Sequence, residues 1–255
     1  MKICIKCKKR KDLFLFYKRK GVKDGVSNKC KDCSNIVNKI YGKKQRKRLK
    51  EEVISIYGNR CTCCGEDEIS FLSIHHINFN GNLERKQGLK AYYLYNKIIN
   101  DPFCRESYTL LCMNCNSCIT KDKACPHKEK RVYPTAEELN KTPYPKYKNM
   151  WGQINDRKIK LSYIKGYGGR CYCCGESQEE FVTMEHAKED RGSHSRRLKA
   201  EGKPFNARGM MQDAILLNFP DTYQLLCMNC NFAQKNGSPC PHTLSSLFVK
   251  STILA

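Results

Sequence analysis

The sequence predicts a chain of small α+β modules, each organised around cysteines instead of one large apolar core. Three observations support this prediction. The segment 57–127 recurs with the same order of motifs as 167–242, and an internal repeat of this length marks two copies of one structural unit. The chain contains 18 cysteines, most of them in Cys-x-x-Cys pairs. Hydrophobic residues make up 40% of the 255 residues and are scattered among the cysteine-rich segments.

The two copies share their motifs in the same order. Each begins with Tyr-Gly and a Cys-x-Cys-Cys-Gly-Glu turn, continues through a histidine, and then carries Leu-Leu-Cys-Met-Asn-Cys-Asn and Cys-Pro-His. The histidines, His76 and His186, both lie 12 residues after the second cysteine of the first pair. The stretch from the histidine to the second pair differs in length, as expected for a loop that tolerates insertions.

The cysteine pairs predict three zinc sites. Two Cys-x-x-Cys pairs supply four thiolates for a tetrahedral zinc ion, and each repeat contains two such pairs, as does the start of the chain. Disulfides are the alternative, but no apolar signal segment precedes Cys4, and in an intracellular chain this spacing favours metal. The predicted structural zinc ligands are Cys4, Cys7, Cys30, Cys33, Cys61, Cys64, Cys112, Cys115, Cys171, Cys174, Cys227 and Cys230.

The other cysteines of the repeats have less defined roles. Cys63 and Cys173 are not expected to be ligands, because alternate cysteines cannot all reach one metal in a zinc knuckle. The Cys-Pro-His motifs could form extra metal sites, although bracing of the final helix is the favoured interpretation. These motifs contain Cys125 and His127, and Cys240 and His242.

The formal net charge of +22 predicts a polyanionic partner, most simply nucleic acid. Each tetrathiolate zinc site has a net charge of −2, so three sites leave about +16. Lysine-rich surfaces also serve solubility, but these basic residues cluster in one predicted helix and again after each repeat histidine. The predicted nucleic-acid-binding residues are Lys43, Lys44, Arg46, Lys47, Arg48, Arg85, Lys86, Arg191, Arg196, Arg197 and Lys199.

Motif order also predicts the organisation of the chain. Each repeat is expected to contain two short strands around the Cys-Cys-Gly turn and the histidine, a helix near 88–99 or 208–218, and a final helix at the last cysteine pair. Thr135 and Glu138 predict a capped helix in a proline-containing linker. The predicted segments are 1–40 (zinc module), 41–57 (basic linker helix), 58–130 (first repeat), 131–155 (linker), 156–245 (second repeat) and 246–255 (tail).

Both repeats resemble the zinc-bearing HNH endonucleases of phages and mobile elements. The resemblance rests on the Cys-x-x-Cys pair, the His-His or Glu-His pair, and the Leu-Leu-Cys-Met-Asn-Cys-Asn string. It implies two repeats of the ββα-metal fold, of treble-clef type, preceded by an N-terminal zinc module. In this family zinc is structural, and a second divalent ion, Mg²⁺ or Mn²⁺, serves catalysis.

The resemblance also implies roles for individual residues. His76 and His186 would act as general bases that take a proton from water. The residues implied to hold the catalytic metal are His75, Asn116, Glu185 and Asn231. The family's middle asparagine is replaced by Ser107 and Thr222, and His75 stands where an acid is usual. The second repeat is therefore the better candidate for cleavage.

Two functions follow from these expectations. The first is a metal-dependent endonuclease that hydrolyses phosphodiester bonds of DNA. The alternative is an inactive, HNH-derived protein that binds nucleic acid, for example an RNA-binding component of a ribosome-like ribonucleoprotein assembly. No apolar run approaches the 18 residues of a transmembrane helix, so no membrane partner is expected. An intracellular location is predicted, in the cytoplasm (including that of a phage-infected host), an organelle or the nucleus, and not secretion.

Overall fold

A computed structural model of the protein describes residues 1–143, 146–187, 191–235 and 239–243. The predicted tail at 246–255 lies outside the described residues. The chain divides into two compact units, Met1–Ile56 with Asn82–Arg105, and Tyr57–Gly81 with Glu106–Ala255. Within the described part of the chain, every sheet is a two-stranded antiparallel pair. No helix there is both long and apolar enough to cross a membrane.

The first unit contains the N-terminal cysteine module. Its strands are β1 (Lys2–Ile3), β2 (Arg10–Lys11), β3 (Phe16–Lys18) and β4 (Val26–Cys30). Strand β4 leads directly into α1 (Lys31–Ile56). Phe16, Val26 and the cysteines form the small core, so little apolar area is buried without the help of a metal.

The remaining part of the first unit is a contact between two helices. Helix α1 packs against α3 (Ala91–Asn100). Each helix buries residues four apart, Leu49 and Val53 on one and Leu94 and Ile98 on the other. Residues at this spacing lie on one face of a helix, and this face forms the contact. The basic residues in the middle of α1, at 43, 44 and 46–48, are exposed to solvent.

The second unit contains the strand pair of each repeat, which is antiparallel and is followed by a helix. In the first, β5 (Leu72–His76) pairs with β6 (Tyr108–Cys112), which leads into α4 (Met113–Cys118). In the second, β7 (Val182–His186) pairs with β8 (Tyr223–Cys227), which leads into α9 (Met228–Lys235). The strand expected at the Cys-Cys-Gly turn is instead a turn, because the partner of the histidine strand is supplied by the Leu-Leu-Cys segment.

Several helices connect these elements. Helix α2 (Gly81–Lys86) follows β5, and a 3₁₀ segment (Pro102–Ser107) precedes β6. The linker contains α5 (Ala136–Asn140), whose capping box between Thr135 and Glu138 confirms the sequence expectation. The second repeat adds α6 (Lys146–Gly166), α7 (Arg191–Ala200) and α8 (Ala207–Leu216).

The core of the second repeat lies between its sheet and these helices. Helix α6 packs against α8. Tyr163 and Ile164 of α6 join Ala214 of α8, with Val182 and Leu225 of the two strands, in one buried cluster. The helix expected near 208–218 is thus confirmed at Ala207–Leu216, where its apolar face covers the sheet.

The two repeats pack against each other through reciprocal contacts. The backbone N–H of Asn114 donates to Oδ1 of Asn229 (2.9 Å), and that of Asn229 donates to Oδ1 of Asn114 (3.0 Å). Both asparagines are buried. The side chain of Asn229 thus accepts from the start of α4, and that of Asn114 accepts from the start of α9. Backbone N–H groups at the start of a helix have no partner within the helix. The repeats therefore meet in a nearly symmetrical way.

Candidate metal centres and histidine sites

The three predicted zinc knuckles share one backbone geometry. The N–H of the first cysteine donates to the carbonyl five residues later in each case: Cys61 to Glu66 (2.8 Å), Cys171 to Glu176 (2.7 Å) and Cys4 to Lys9 (3.0 Å). The residue after the second cysteine has a positive φ, and it is Gly65, Gly175 or Lys8. Glycine adopts this conformation without steric cost, which explains the Cys-Gly sequence in both repeats.

The twelve predicted zinc ligands lie in three groups of four, as expected. Within each group all four sulfurs lie within 4.8 Å of one another. The Sγ atoms of Cys64 and Cys112 are 3.7 Å apart, as are those of Cys174 and Cys227. Four thiolates around zinc, each with a bond of about 2.3 Å, would be separated by about 3.8 Å. The groups therefore fit zinc.

Backbone N–H groups point towards several of these sulfurs. The N–H of Cys115 lies 3.5 Å from Cys112 Sγ, and that of Cys230 lies 3.4 Å from Cys227 Sγ. In the N-terminal group, burial raises the pKa of Cys4, but backbone donors led by Cys30 outweigh burial and lower the pKa to about 6. In the same group, burial raises the pKa of Cys33 to about 12, so the four thiols do not ionise alike. Zinc binds the thiolate form.

Two further groups of potential ligands include the Cys-Pro-His residues, for which metal binding was the less favoured interpretation of the sequence. Cys63, Cys115, Cys125 and His127 converge in the first repeat, and Cys173, Cys230, Cys240 and His242 converge in the second. Cys63 and Cys173, which we expected not to be ligands, thus join a metal-binding geometry. Their sulfurs are not part of the group formed by their own knuckle, and belong to the second group instead. The Cys-Pro-His motifs complete these groups instead of serving only to brace a helix.

In each repeat the residue before the strand histidine contacts the asparagine of the following helix. In the first repeat, Nδ1 of His75 lies 2.8 Å from Oδ1 of Asn116. In the second, Nδ2 of Asn231 donates to Oε2 of Glu185 (2.5 Å), which also lies 3.1 Å from Nζ of Lys235. Among the described residues, no cluster of three or more His, Cys, Asp and Glu ligands includes these pairs. The two residues of each predicted catalytic pair therefore contact each other.

The histidine of the second repeat begins a chain of buried polar contacts. Nε2 of His186 lies 2.8 Å from Nδ1 of His194, a fully buried residue of α7. Nε2 of His194 lies 2.7 Å from the hydroxyl of Tyr223, which donates to Oδ2 of Asp213 (3.4 Å). A histidine that contacts a second polar group in this way is held in one orientation. His194, Tyr223 and Asp213 were not identified from the sequence, because they belong to three separate elements.

Asp213 is the charged end of this chain. Its carboxylate is buried on α8 and pairs with Arg197 (2.9 Å) and Lys203 (2.9 Å). Burial raises the pKa of Asp213, but the two basic partners outweigh burial and hold the pKa below its usual value. Arg197, predicted to bind nucleic acid, is therefore engaged with Asp213 in this structure.

The histidine of the first repeat has different neighbours. The ring of His76 meets that of its cross-strand partner Tyr108 edge-on, with centroids 5.1 Å apart. A Cβ atom on Gly81 would lie 2.8 Å from Nδ1 of His76, so the backbone approaches this ring closely. Counted forward from the strand histidine, Glu84 corresponds to His194 of the second repeat. Counted back from the tyrosine of the partner strand, Ile98 corresponds to Asp213.

The remaining predicted site residues lie on the surface or in loops. The basic residues Lys43, Lys44, Arg46, Lys47 and Arg48 of α1 are all exposed. Arg85, Lys86, Arg191, Arg196 and Lys199 are exposed as well. The backbone carbonyls of Ser107 and Thr222 accept from Ile77 (3.0 Å) and Ala187 (2.8 Å), the residues that follow His76 and His186. These carbonyls fix the end of each histidine strand.

Comparison with known proteins found no matching protein-family model, no matching curated protein and no matching solved structure. The contacts described above are the observations on which a function can be proposed.

Proposed function

We propose that the chain is a metal-dependent endonuclease that hydrolyses DNA phosphodiester bonds, with HNH-like ββα-metal repeats and with its main active centre in the second repeat. The contact between Glu185 and Asn231 beside His186 supports this proposal most directly. It brings the amide of Asn231 to the carboxylate that directly precedes a half-buried histidine on β7. The first repeat offers the corresponding set with His75, Asn116 and His76.

The donor atoms of the second repeat suit a hard divalent cation such as Mg²⁺ or Mn²⁺. Mg²⁺ is usually bound by one or two carboxylates, with water and substrate phosphate filling the other positions. Glu185 and Asn231 would hold such an ion, which would neutralise charge developing on the phosphate. In the first repeat, His75 replaces the carboxylate, and an imidazole favours softer transition metals. The second repeat is therefore the stronger candidate.

His186 would act as the general base. A base must be oriented towards the attacking water and have an unprotonated nitrogen at working pH. The contact of its Nε2 with His194 fixes the ring, and Tyr223 in turn fixes His194. His194 and Tyr223 are thus positioning residues, because they act through His186. With Nε2 engaged by His194, Nδ1 of His186 is the nitrogen assigned to the water.

A non-catalytic nucleic-acid-binding protein is the second candidate, and one contact favours it. Nζ of Lys235 lies 3.1 Å from Glu185, so a cation of the protein itself compensates this carboxylate. Exposed basic residues on α1 and α7 would bind a phosphate backbone in either case. An RNA-binding role in a ribosome-like assembly belongs to this alternative.

Cleavage of plasmid DNA separates the two candidates. The wild type should nick DNA in the presence of Mg²⁺ or Mn²⁺, and His186→Ala should lower the rate by about 10²–10⁴-fold because the general base is lost. His76→Ala should have a smaller effect, because the first repeat has the weaker metal ligands. Both variants should bind DNA as the wild type does, with affinity that falls steeply as salt rises. Wild-type protein that binds DNA but does not cleave it, whichever divalent ion is added, would support the second candidate instead.

A further inference from the structure

We propose that each repeat holds two zinc ions that share one cysteine thiolate. Cys115 belongs to both ligand groups of the first repeat, and Cys230 belongs to both groups of the second. Each repeat thus presents six cysteines and one histidine to two ions. With the N-terminal group, the chain would bind five zinc ions, where its Cys-x-x-Cys pairs alone predict three.

The interatomic distances in the second groups are those of zinc ligands. Nδ1 of His127 lies 3.3 Å from Sγ of Cys115 and 3.4 Å from Sγ of Cys125. The corresponding distances from His242 to Cys230 and Cys240 are 3.3 Å and 3.5 Å. Tetrahedral zinc with bonds of about 2.3 Å to sulfur and about 2.0–2.1 Å to nitrogen places these atoms about 3.6 Å apart.

Ordinary thiol–imidazole hydrogen bonds would account for single distances of this kind but not for the whole arrangement. Three sulfurs and one ring nitrogen converge within 4.8 Å in both repeats. The sulfurs of Cys125 and Cys240 are almost fully buried, at 1% exposure each. Buried thiols that converge on a point gain little from one another, whereas a metal would satisfy all of them.

Sharing a thiolate also makes the second ion acceptable in charge. One zinc ion with four thiolates has a net charge of −2. Two ions with six thiolates and a neutral histidine also have a net charge of −2. Adding the second ion therefore leaves the charge of the buried centre unchanged, because its two positive charges balance the ionisation of two further cysteines.

The second ion of each repeat would also stabilise the contact between the repeats. The ring of His127 packs against Phe181 of the second repeat, with centroids 4.8 Å apart. Reciprocally, the ring of His242 stacks on Phe71 of the first repeat at 5.1 Å. A metal bound at Nδ1 would hold each imidazole in the orientation that meets the opposite phenylalanine.

Zinc content of the full-length chain provides the first test. Protein expressed with zinc and dialysed against zinc-free buffer should contain five ions per chain by elemental analysis and native mass spectrometry. His127→Ala should lower the content to four. Cys118→Ala is the matched control. Cys118 lies close to the second group, with its sulfur 3.7 Å from that of Cys125, but it is not part of the proposed ligand set. The second repeat has Ala233 at the corresponding position, so alanine should be tolerated there. This control should keep five ions, and a wild type with three ions would overturn the proposal.

Cadmium substitution tests whether the thiolate is shared. Two cadmium-113 nuclei joined through one sulfur should show scalar coupling, so the spectrum should contain two coupled pairs and one single resonance. In His127→Ala, one pair should collapse to a single uncoupled resonance. Five resonances without coupling would overturn the shared thiolate even if five ions bind.

Discussion

The two repeats have the same cysteine framework but surround their strand histidines differently. Both place four thiolates in a knuckle group and complete a second group with Cys-Pro-His. Around His186, however, a buried chain runs through His194 and Tyr223 to Asp213. The neighbours of His76 include the Tyr108 ring and the backbone of Gly81.

The position of these differences shows which parts of the repeat are free to vary. His194 and Asp213 belong to α7 and α8, which lie between the two strands of the repeat in sequence. The cysteines, by contrast, lie at the strand ends and adjoining turns, where all must remain close enough to bind metal. Because the cysteine groups hold the strand ends and turns, the segment between the two strands can differ between repeats, and the surroundings of the histidine differ with it.

Removal of zinc should have the largest effect, because it tests the part that the repeats share. Structural zinc contributes about 10–16 kcal/mol of apparent binding free energy in small metal-folded domains. A strong chelator should therefore unfold both repeats, observed as loss of helical circular dichroism and of dispersed amide resonances. Addition of zinc should restore the signal. Retention of the native spectrum after complete zinc removal would contradict a metal-dependent fold.

Asp213→Asn should destabilise the second repeat alone. Breaking a buried ion pair costs about 3–5 kcal/mol, but Arg197 and Lys203 are about one-third exposed and can recover water. We therefore expect a loss of about 2 kcal/mol in the free energy of unfolding, measured by urea denaturation at neutral pH. Asp122→Asn, an exposed aspartate of the first repeat, is the control and should change stability little.

The difference between wild type and Asp213→Asn should also depend on pH. The folded-state pKa of Asp213 is lowered, so its stabilising contribution is fully present above the unfolded pKa of about 4 and is lost as pH falls through the folded pKa. The gap in unfolding free energy should therefore narrow below about pH 4. Zinc content should be measured at each pH, and the comparison uses only pH values at which both proteins keep their zinc, because loss of zinc would unfold both. A gap that stayed constant in acid would contradict the ion-pair interpretation.

Gly81→Ala should have an effect of similar or smaller size, confined to the first repeat. The added methyl group would meet the His76 ring at 2.8 Å, so the backbone must move, at a cost of about 1–3 kcal/mol. Gly152→Ala is the matched control, because no heavy atom lies within 4 Å of its added Cβ in α6. Alanine there should stabilise by about 0.5–1 kcal/mol through helix propensity. Thermal unfolding of both variants should give shifts of opposite sign, and equal shifts would contradict the close approach at His76.

Much of the framework was predictable from local patterns. The twelve paired cysteines form the three expected groups, since a Cys-x-x-Cys turn brings its own two sulfurs together. The helix that begins at the last cysteine pair and the Thr135 capping box also follow from short-range signals. A second metal group at the Cys-Pro-His motifs was only the less favoured interpretation, and the part played by Cys63 and Cys173 was not expected, because their position relative to these motifs depends on the path of the whole chain.

By itself, the sequence determined the repeat, the knuckles and the strand that carries each histidine, because these depend on residues a few positions apart. Only the tertiary structure decided that Cys115 and Cys230 each face two ligand groups. It also decided that His186 meets His194, Tyr223 and Asp213 from three other elements. Such contacts join positions far apart in the chain, and packing, not local spacing, brings them together.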